Sequence, residues 1–144
     1  MRLEILAAAT AMVLASSVAI AQNNPSADGA RVYVANIENG QHVSSPVLVS
    51  FGLAGMGISP AGITGQGTDN TGHHHLVIDS PTPAAGVPIP AEAGKYIHFG
   101  RGQTETTLEL APGEHTLQLV LGDAAHIPHN PPVMSDPITI IVDP

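Results

Sequence analysis

Short runs of β-forming residues separated by turn residues predict that this 144-residue chain is an all-β protein. Several runs alternate apolar and polar residues with a period of two, as Val47, Val49, Phe51 and Leu53 do. No window has sustained helical periodicity. The 15 Gly and 13 Pro supply turns and stay below the proportion typical of disordered sequence. We therefore expect an antiparallel, immunoglobulin-like β-sandwich of about seven strands, with a small barrel as the alternative architecture.

The predicted strands are residues 31–37, 47–53, 74–79, 95–99, 104–110, 114–121 and 138–142. Between the fifth and sixth strands, Ala111-Pro112-Gly113 predicts a tight antiparallel hairpin. Three long connections separate other strands, at residues 54–73, 80–94 and 122–137. Loops of this length often carry function.

The first 21 residues have the features of a signal peptide. Residues 5–20 are almost wholly apolar, and Ala19-Ile20-Ala21 is the small-x-small pattern that predicts cleavage after Ala21. The run is shorter than the roughly 20 residues of a membrane-spanning helix, and no later segment is apolar enough to span. We expect an exported, periplasmic or secreted protein with a flexible N-terminus at residues 22–30 and one sandwich domain at residues 31–144.

Composition excludes several classes of function. Four Lys and Arg against twelve Asp and Glu give a net charge of -8, which argues against nucleic acid as a partner. The absence of cysteine excludes disulfides and thiolate metal sites. The GxSxG, Walker, GxGxxG and HExxH motifs are also absent, which favours a non-catalytic protein.

Six of the eight histidines are predicted to meet at one end of the sandwich. If successive strands alternate in direction, the second, fourth and sixth strands end together, where the third strand begins. The histidines assigned to this end are His73, His74, His75, His98, His126 and His129. His42 and His115 are assigned to the opposite end.

Strand parity predicts which imidazoles share a face. Leu76 and Ile78 should face the core, which turns His74 inward and leaves His73 and His75 together on the outer face. Their Cα atoms would be about 6.6–6.8 Å apart, a separation that two imidazoles can bridge onto one ion.

Two further segments bring candidate ligands to the same end. His98 is predicted to face outward, and the spacing in His126-Ile-Pro-His129 lets both rings point one way. Imidazole nitrogen suits copper and zinc. The candidate metal ligands are therefore His73, His75, His98, His126 and His129.

Three other residues are candidates for an extra ligand or for a group that orients a ligand, namely His74, Asp123 and Met56. Each has a structural alternative. His74 would be a hydrogen-bonded, partly buried histidine, Asp123 a loop cap and Met56 a packing residue.

The motifs GMGISPAG, TGHHHLVID, HFGRGQTE, GEHTLQLVLGD and HIPHNPPV occur in this order. Together they resemble the bacterial exported family catalogued as domain of unknown function 4399, over about Val32 to Val142. The resemblance implies a secreted, single-domain, β-rich protein, and it implies no activity. It includes His115 in the shared pattern, so this histidine either stabilises the fold or lies in a different strand order from the one predicted.

Three functional hypotheses follow. The first is an exported protein that captures or buffers a copper or zinc ion at the clustered histidines. The alternative is a non-catalytic envelope or extracellular module that binds another envelope protein, its histidines forming a hydrogen-bonded network without metal. The third, a metal-dependent enzyme, requires an open coordination position.

Overall fold

The computed structural model describes residues 24–144 of the chain, and the predicted signal peptide lies outside the described residues. Every element in this range is a strand, which confirms the all-β prediction. The strands are β1 (Arg31–Val34), β2 (Gln41–Val43), β3 (Val47–Ala54), β4 (Gly57–Ile58), β5 (Thr71–Ile78), β6 (Tyr96–His98), β7 (Glu105–Leu108), β8 (Gly113–Gly122) and β9 (Ile138–Val142). Each predicted run overlaps one of the observed strands. β2 and β4, at 3 and 2 residues, are too short for a periodic pattern to reveal.

The strands form two sheets. One has the order β1-β3-β7, and the other has the order β2-β9-β8-β5-β4 with β6 paired to β5. Most pairs are antiparallel, but β2 with β9 and β4 with β5 are parallel, so the larger sheet is mixed. No helix within residues 24–144 has the length and apolar character needed to cross a bilayer.

The main core lies between the sheets. Val49 and Phe51 of β3 pack in one cluster with residues of the larger sheet such as Leu76, Leu119 and Ile140. These side chains come from alternate positions on their strands, as a two-layer structure requires. The structure is thus a β-sandwich.

A second apolar cluster covers part of the outer face of the larger sheet. Val77 of β5 and Val120 of β8 pack there against Ile89, with Tyr96 and Met134 at the margin. Ile89 belongs to the proline-rich connection between β5 and β6. This cover buries Val77 on the outer face of β5, a strand whose residues 72–78 are all buried.

The predicted hairpin at Ala111-Pro112-Gly113 is wrong. β7 pairs with β3 in one sheet, whereas β8 pairs with β5 and β9 in the other. The connection therefore arches between the two layers. Leu108 and Leu117 enter the same core from opposite layers. The prediction failed because the strands beside an arch have the same alternating apolar pattern as the strands of a hairpin.

Strand directions bring three chain segments to one end of the larger sheet. β5 runs antiparallel to both β8 and β6, with His73 opposite Gly122 and His75 opposite His98. The ends of β6 and β8 consequently lie beside the start of β5. The predicted gathering of these segments is confirmed, although the pairs β3–β7 and β5–β8 depart from a simple up-and-down order.

Candidate metal centre

Four imidazole rings meet at this end of the sheet, from His73, His75, His98 and His126. Their six ring-centre separations run from 4.6 Å, between His98 and His126, to 5.8 Å, between His75 and His126. Four imidazoles around a tetrahedral ion, with metal–nitrogen distances of about 2.0–2.1 Å, have ring centres roughly 5 Å apart. The four rings are therefore spaced as the ligands of one ion would be.

The nitrogens of three rings are the closest to one another. One ring nitrogen each from His73, His98 and His126 lie within 4.8 Å of one another. Nε2 of His126 is 3.1 Å from Nε2 of His98, within hydrogen-bonding distance. His75 touches all three rings, but its nitrogens fall outside this close group, so its ring would have to turn to become a fourth ligand.

β5 and β6 place three of the four rings. His73 and His75 lie on the outer face of β5 because His74 between them points to the core, where it packs 5.2 Å from the Phe51 ring. His98 is opposite His75 in the β5–β6 register. The parity predicted for His73, His74, His75 and His98 is confirmed, but His73 and His75 are buried rather than solvent-facing, at 0% and 2% exposure.

The loop after β8 places the fourth ring. His126 has a left-handed backbone with φ of 65°, which is uncommon for a residue other than glycine. Asp123 holds this turn, because its Oδ1 accepts hydrogen bonds from the N–H groups of Ala125 at 2.8 Å and Ile127 at 2.9 Å. These bonds make Asp123 a cap of the loop that carries His126.

Two glycines provide the space that two of the rings occupy. A Cβ atom on Gly100 would lie 2.2 Å from Cε1 of His98, and one on Gly122 would lie 2.7 Å from Cε1 of His75. Neither glycine has a left-handed backbone. Because they lack a side chain, these glycines leave room for the His98 and His75 rings. The motifs HFG and VLGD did not reveal this role, because a glycine beside a strand end usually indicates a turn.

Several ring nitrogens of the cluster are buried without a partner. Nδ1 and Nε2 of His73 and Nδ1 of His75 have no hydrogen-bond partner among the described residues. A buried polar atom left unpaired costs about 1–3 kcal/mol. A metal ion accepts the lone pair of such a nitrogen. The nitrogens of His73 and His75 therefore fit an ion that binds imidazole.

The cluster favours neutral imidazoles. Burial, reinforced by the neighbouring histidines, lowers the pKa of His73 to about 4 and that of His75 to about 3. Partial desolvation and His126 also lower the pKa of His98. Neutral rings keep a free lone pair at pH 7, which is the form that binds a metal.

His129, a predicted ligand, lies outside the cluster. It is buried at 1% exposure, with Nε2 3.1 Å from the Thr71 carbonyl and Nδ1 3.4 Å from the Leu121 carbonyl. A Cβ on Gly72 would lie 2.9 Å from its ring. His129 thus bridges the start of β5 and the end of β8, and its spacing from His126 did not bring the two rings together.

The remaining candidates have structural contacts. Met56 packs against the main core. At the far end of the sheet, His115 Nδ1 contacts Asp79 Oδ2 at 2.6 Å, and His42, on β2, pairs with Asp143 at 2.7 Å. The fold-stabilising alternative for His115 therefore matches its observed contacts.

A scan against protein families matches residues 49–143 to the family described as domain of unknown function (DUF4399). The match contains every histidine of the cluster and confirms the resemblance seen in the motifs. No curated protein and no solved structure matches the chain.

Proposed function

The chain belongs to the family of domain of unknown function DUF4399, and we propose that it is an exported protein that captures or buffers one copper or zinc ion. His73, His98 and His126 are the proposed ligands, with His75 as the fourth. The observation that carries the proposal is the convergence of four imidazoles, in which buried nitrogens of His73 and His75 have no hydrogen-bond partner among the described residues.

The choice of ion rests on the donors. The three mutually close ligand atoms are all imidazole nitrogens. Such nitrogens suit zinc and Cu(II), whereas magnesium and calcium take oxygen ligands. With the His75 ring turned to serve as the fourth ligand, the tetrahedral site is closed, and closed sites hold ions rather than activate water. This favours capture over catalysis.

The location rests on the sequence. The apolar run at residues 5–20 and the Ala19-Ile20-Ala21 pattern support export, and the net charge of -8 supports attraction of cations to the protein. A periplasmic or secreted protein with this site would meet metal ions outside the cytosol.

A titration of the untagged chain lacking residues 1–21 with Cu(II) and Zn(II) tests the proposal. We expect one ion per chain, and we expect the His73→Ala/His98→Ala/His126→Ala variant to bind none.

His98→Ala and His42→Ala form a matched pair, because both remove an exposed imidazole. Only His98→Ala should weaken binding, by more than about 100-fold. Absence of stoichiometric uptake, or equal effects of the pair, would refute the proposal.

The alternative is an envelope-binding module with a metal-free histidine network. The 3.1 Å contact between His98 and His126 favours it, since one ring donates a hydrogen bond to the other. The unpaired nitrogens of His73 and His75 count against it, because a complete network would pair them. This alternative predicts that zinc leaves the melting temperature unchanged. A metal site predicts about 2.7 kcal/mol of stabilisation at 100 times the dissociation constant.

A further inference from the structure

We propose that Asn24 and Asp123 are positioning residues that fix His126 for metal binding, an inference that rests on the proposed function. Neither side chain contributes to the imidazole cluster itself. Their connection to it runs through the loop between β8 and β9.

The backbone of His126 requires support from its surroundings. Its φ of 65° places it in a region that residues with a Cβ rarely adopt, and such conformations persist where neighbouring contacts enforce them. The His126 N–H donates to the Asp123 carbonyl at 2.9 Å, and the His126 carbonyl accepts from the Ile89 N–H at 2.8 Å. Both polar groups of its backbone are therefore held.

Asp123 is the centre of this loop. Besides receiving the N–H groups of Ala125 and Ile127 on Oδ1, it donates its own N–H to the Ile127 carbonyl at 2.9 Å. These bonds hold the residues on both sides of His126. An imidazole on a loop tied at both flanks loses little freedom when it binds an ion.

Asn24 in turn holds Asp123. Its Nδ2 donates to Oδ2 of Asp123 at 2.7 Å, and Asp123 is only 9% exposed. The backbone of Asn24 is anchored on the same loop, because its carbonyl accepts the Asn130 N–H at 2.9 Å. The segment just after the predicted cleavage site thus joins the loop that carries His126. Loss of the Asn24 amide would leave a buried carboxylate oxygen without this donor.

Removing the Asn24 side chain should weaken metal binding as the loss of other residues that orient metal ligands does. Such losses weaken metal affinity by about 10–100-fold. We expect Asn24→Ala to weaken Zn(II) binding to this extent. In a His126→Ala background, the same substitution should cause no further loss, because Asn24 acts through His126. Asn36→Ala is the control for loss of an asparagine side chain, since Asn36 makes two exposed hydrogen bonds, to Leu48 and Ser50 of the other sheet.

Zinc affinities from chelator competition in these backgrounds form the first arm of the test. Unchanged affinity in Asn24→Ala, or an equal loss with and without His126, would overturn the inference while leaving the metal site intact. Absence of zinc uptake by the wild-type chain would refute the proposed function instead.

The second arm needs no metal. Amide hydrogen exchange of Ala125 and Ile127 in the metal-free protein should be faster in Asn24→Ala than in the wild type, and unchanged in Asn36→Ala. Unchanged exchange in Asn24→Ala would show that Asn24 does not hold the loop.

Discussion

Gly100 and Gly122 are glycines because imidazole rings lie where their side chains would be. A glycine in a turn often provides a left-handed backbone, but these two glycines have ordinary backbones and lie against His98 and His75. Residue type, strand parity and spacing predicted the four histidines of the cluster, but they also included His129, which lies outside it. The sequence did not predict these two glycines, because nothing local distinguishes a glycine under a ring from a glycine in a turn.

We predict that Gly100→Ala weakens zinc binding by at least about tenfold, because the new methyl group must displace the His98 ring, and residues that orient ligands contribute on this scale. Gly52→Ala is the matched control. A Cβ there would lie 2.2 Å from the ring of Tyr33, in the other sheet and away from the cluster. Competition against a chromophoric chelator measures both variants. Equal losses of affinity would show that the position of His98 is not the cause.

His74 is a buried polar residue whose ring has no hydrogen-bond partner among the described residues. Burial lowers its pKa to about 4, and the Gln103 backbone opposes this shift without meeting hydrogen-bond geometry. We predict that His74→Leu, which is similar in volume, raises the free energy of unfolding at pH 7 by about 1–3 kcal/mol. Urea unfolding measures the change. Destabilisation would indicate a partner for His74.

At the scale of strands, alternation predicted the faces of β5 and β6 correctly, whereas pairing was harder to predict. Each strand's own side chains determine its buried face. The choice between a hairpin and an arch at residues 111–113 depends on which layer the next strand joins, and that is decided by contacts distant in sequence. Burial of His73 and His75 likewise depends on distant parts of the chain, because the rings of His98 and His126 pack against them.

The far ends of β5 and β8 are joined by His115 and Asp79. The Asp79 carboxylate raises the pKa of His115. Partial burial acts to raise the pKa of Asp79, but hydrogen bonds from Thr116 and His115 lower it overall. When His115 is protonated, both ring nitrogens donate, one to Asp79 and one to the Ala111 carbonyl at 2.8 Å.

The pKa of His115 is raised in the folded state, so its pair with Asp79 stabilises the fold fully below the unfolded pKa of 6.5. This stabilisation is lost as pH rises through the pKa of His115 in the folded protein. We therefore predict that His115→Ala costs more stability at pH 6 than at pH 9. Urea unfolding at the two pH values measures the difference. His42→Ala, which removes an exposed pair with Asp143, serves as the control. An equal cost of His115→Ala at both pH values would contradict the prediction.

At the scale of the molecule, folding creates the histidine cluster proposed as a metal site. Its histidines come from β5, from β6 and from the loop after β8, so an unfolded chain has no such cluster. The same folding keeps three histidines neutral in the metal-free protein. Their pKa values are about 4 for His73 and His74 and about 3 for His75, against 6.5 for an unperturbed histidine.

These lowered pKa values predict that the metal-free protein loses stability in mild acid. Between pH 6.5 and about 4 the unfolded chain binds protons that the folded chain does not, so the free energy of unfolding falls as pH falls. For a single histidine of this kind the slope approaches about 1.4 kcal/mol per pH unit below the unfolded pKa. Urea unfolding with a chelator present, at half-unit steps, measures it. The His74→Leu variant should have a shallower slope, and a flat profile would contradict the lowered pKa values.

The most direct test of the metal site is the ¹⁵N NMR spectrum of the imidazole nitrogens before and after one equivalent of Zn(II). The proposed site predicts coordination shifts at His73, His98 and His126, with His75 as the fourth, while His42, His115 and His129 keep their metal-free signals. Shifts at His42, His115 or His129 with none at the cluster, or a spectrum that zinc leaves unchanged, would contradict it.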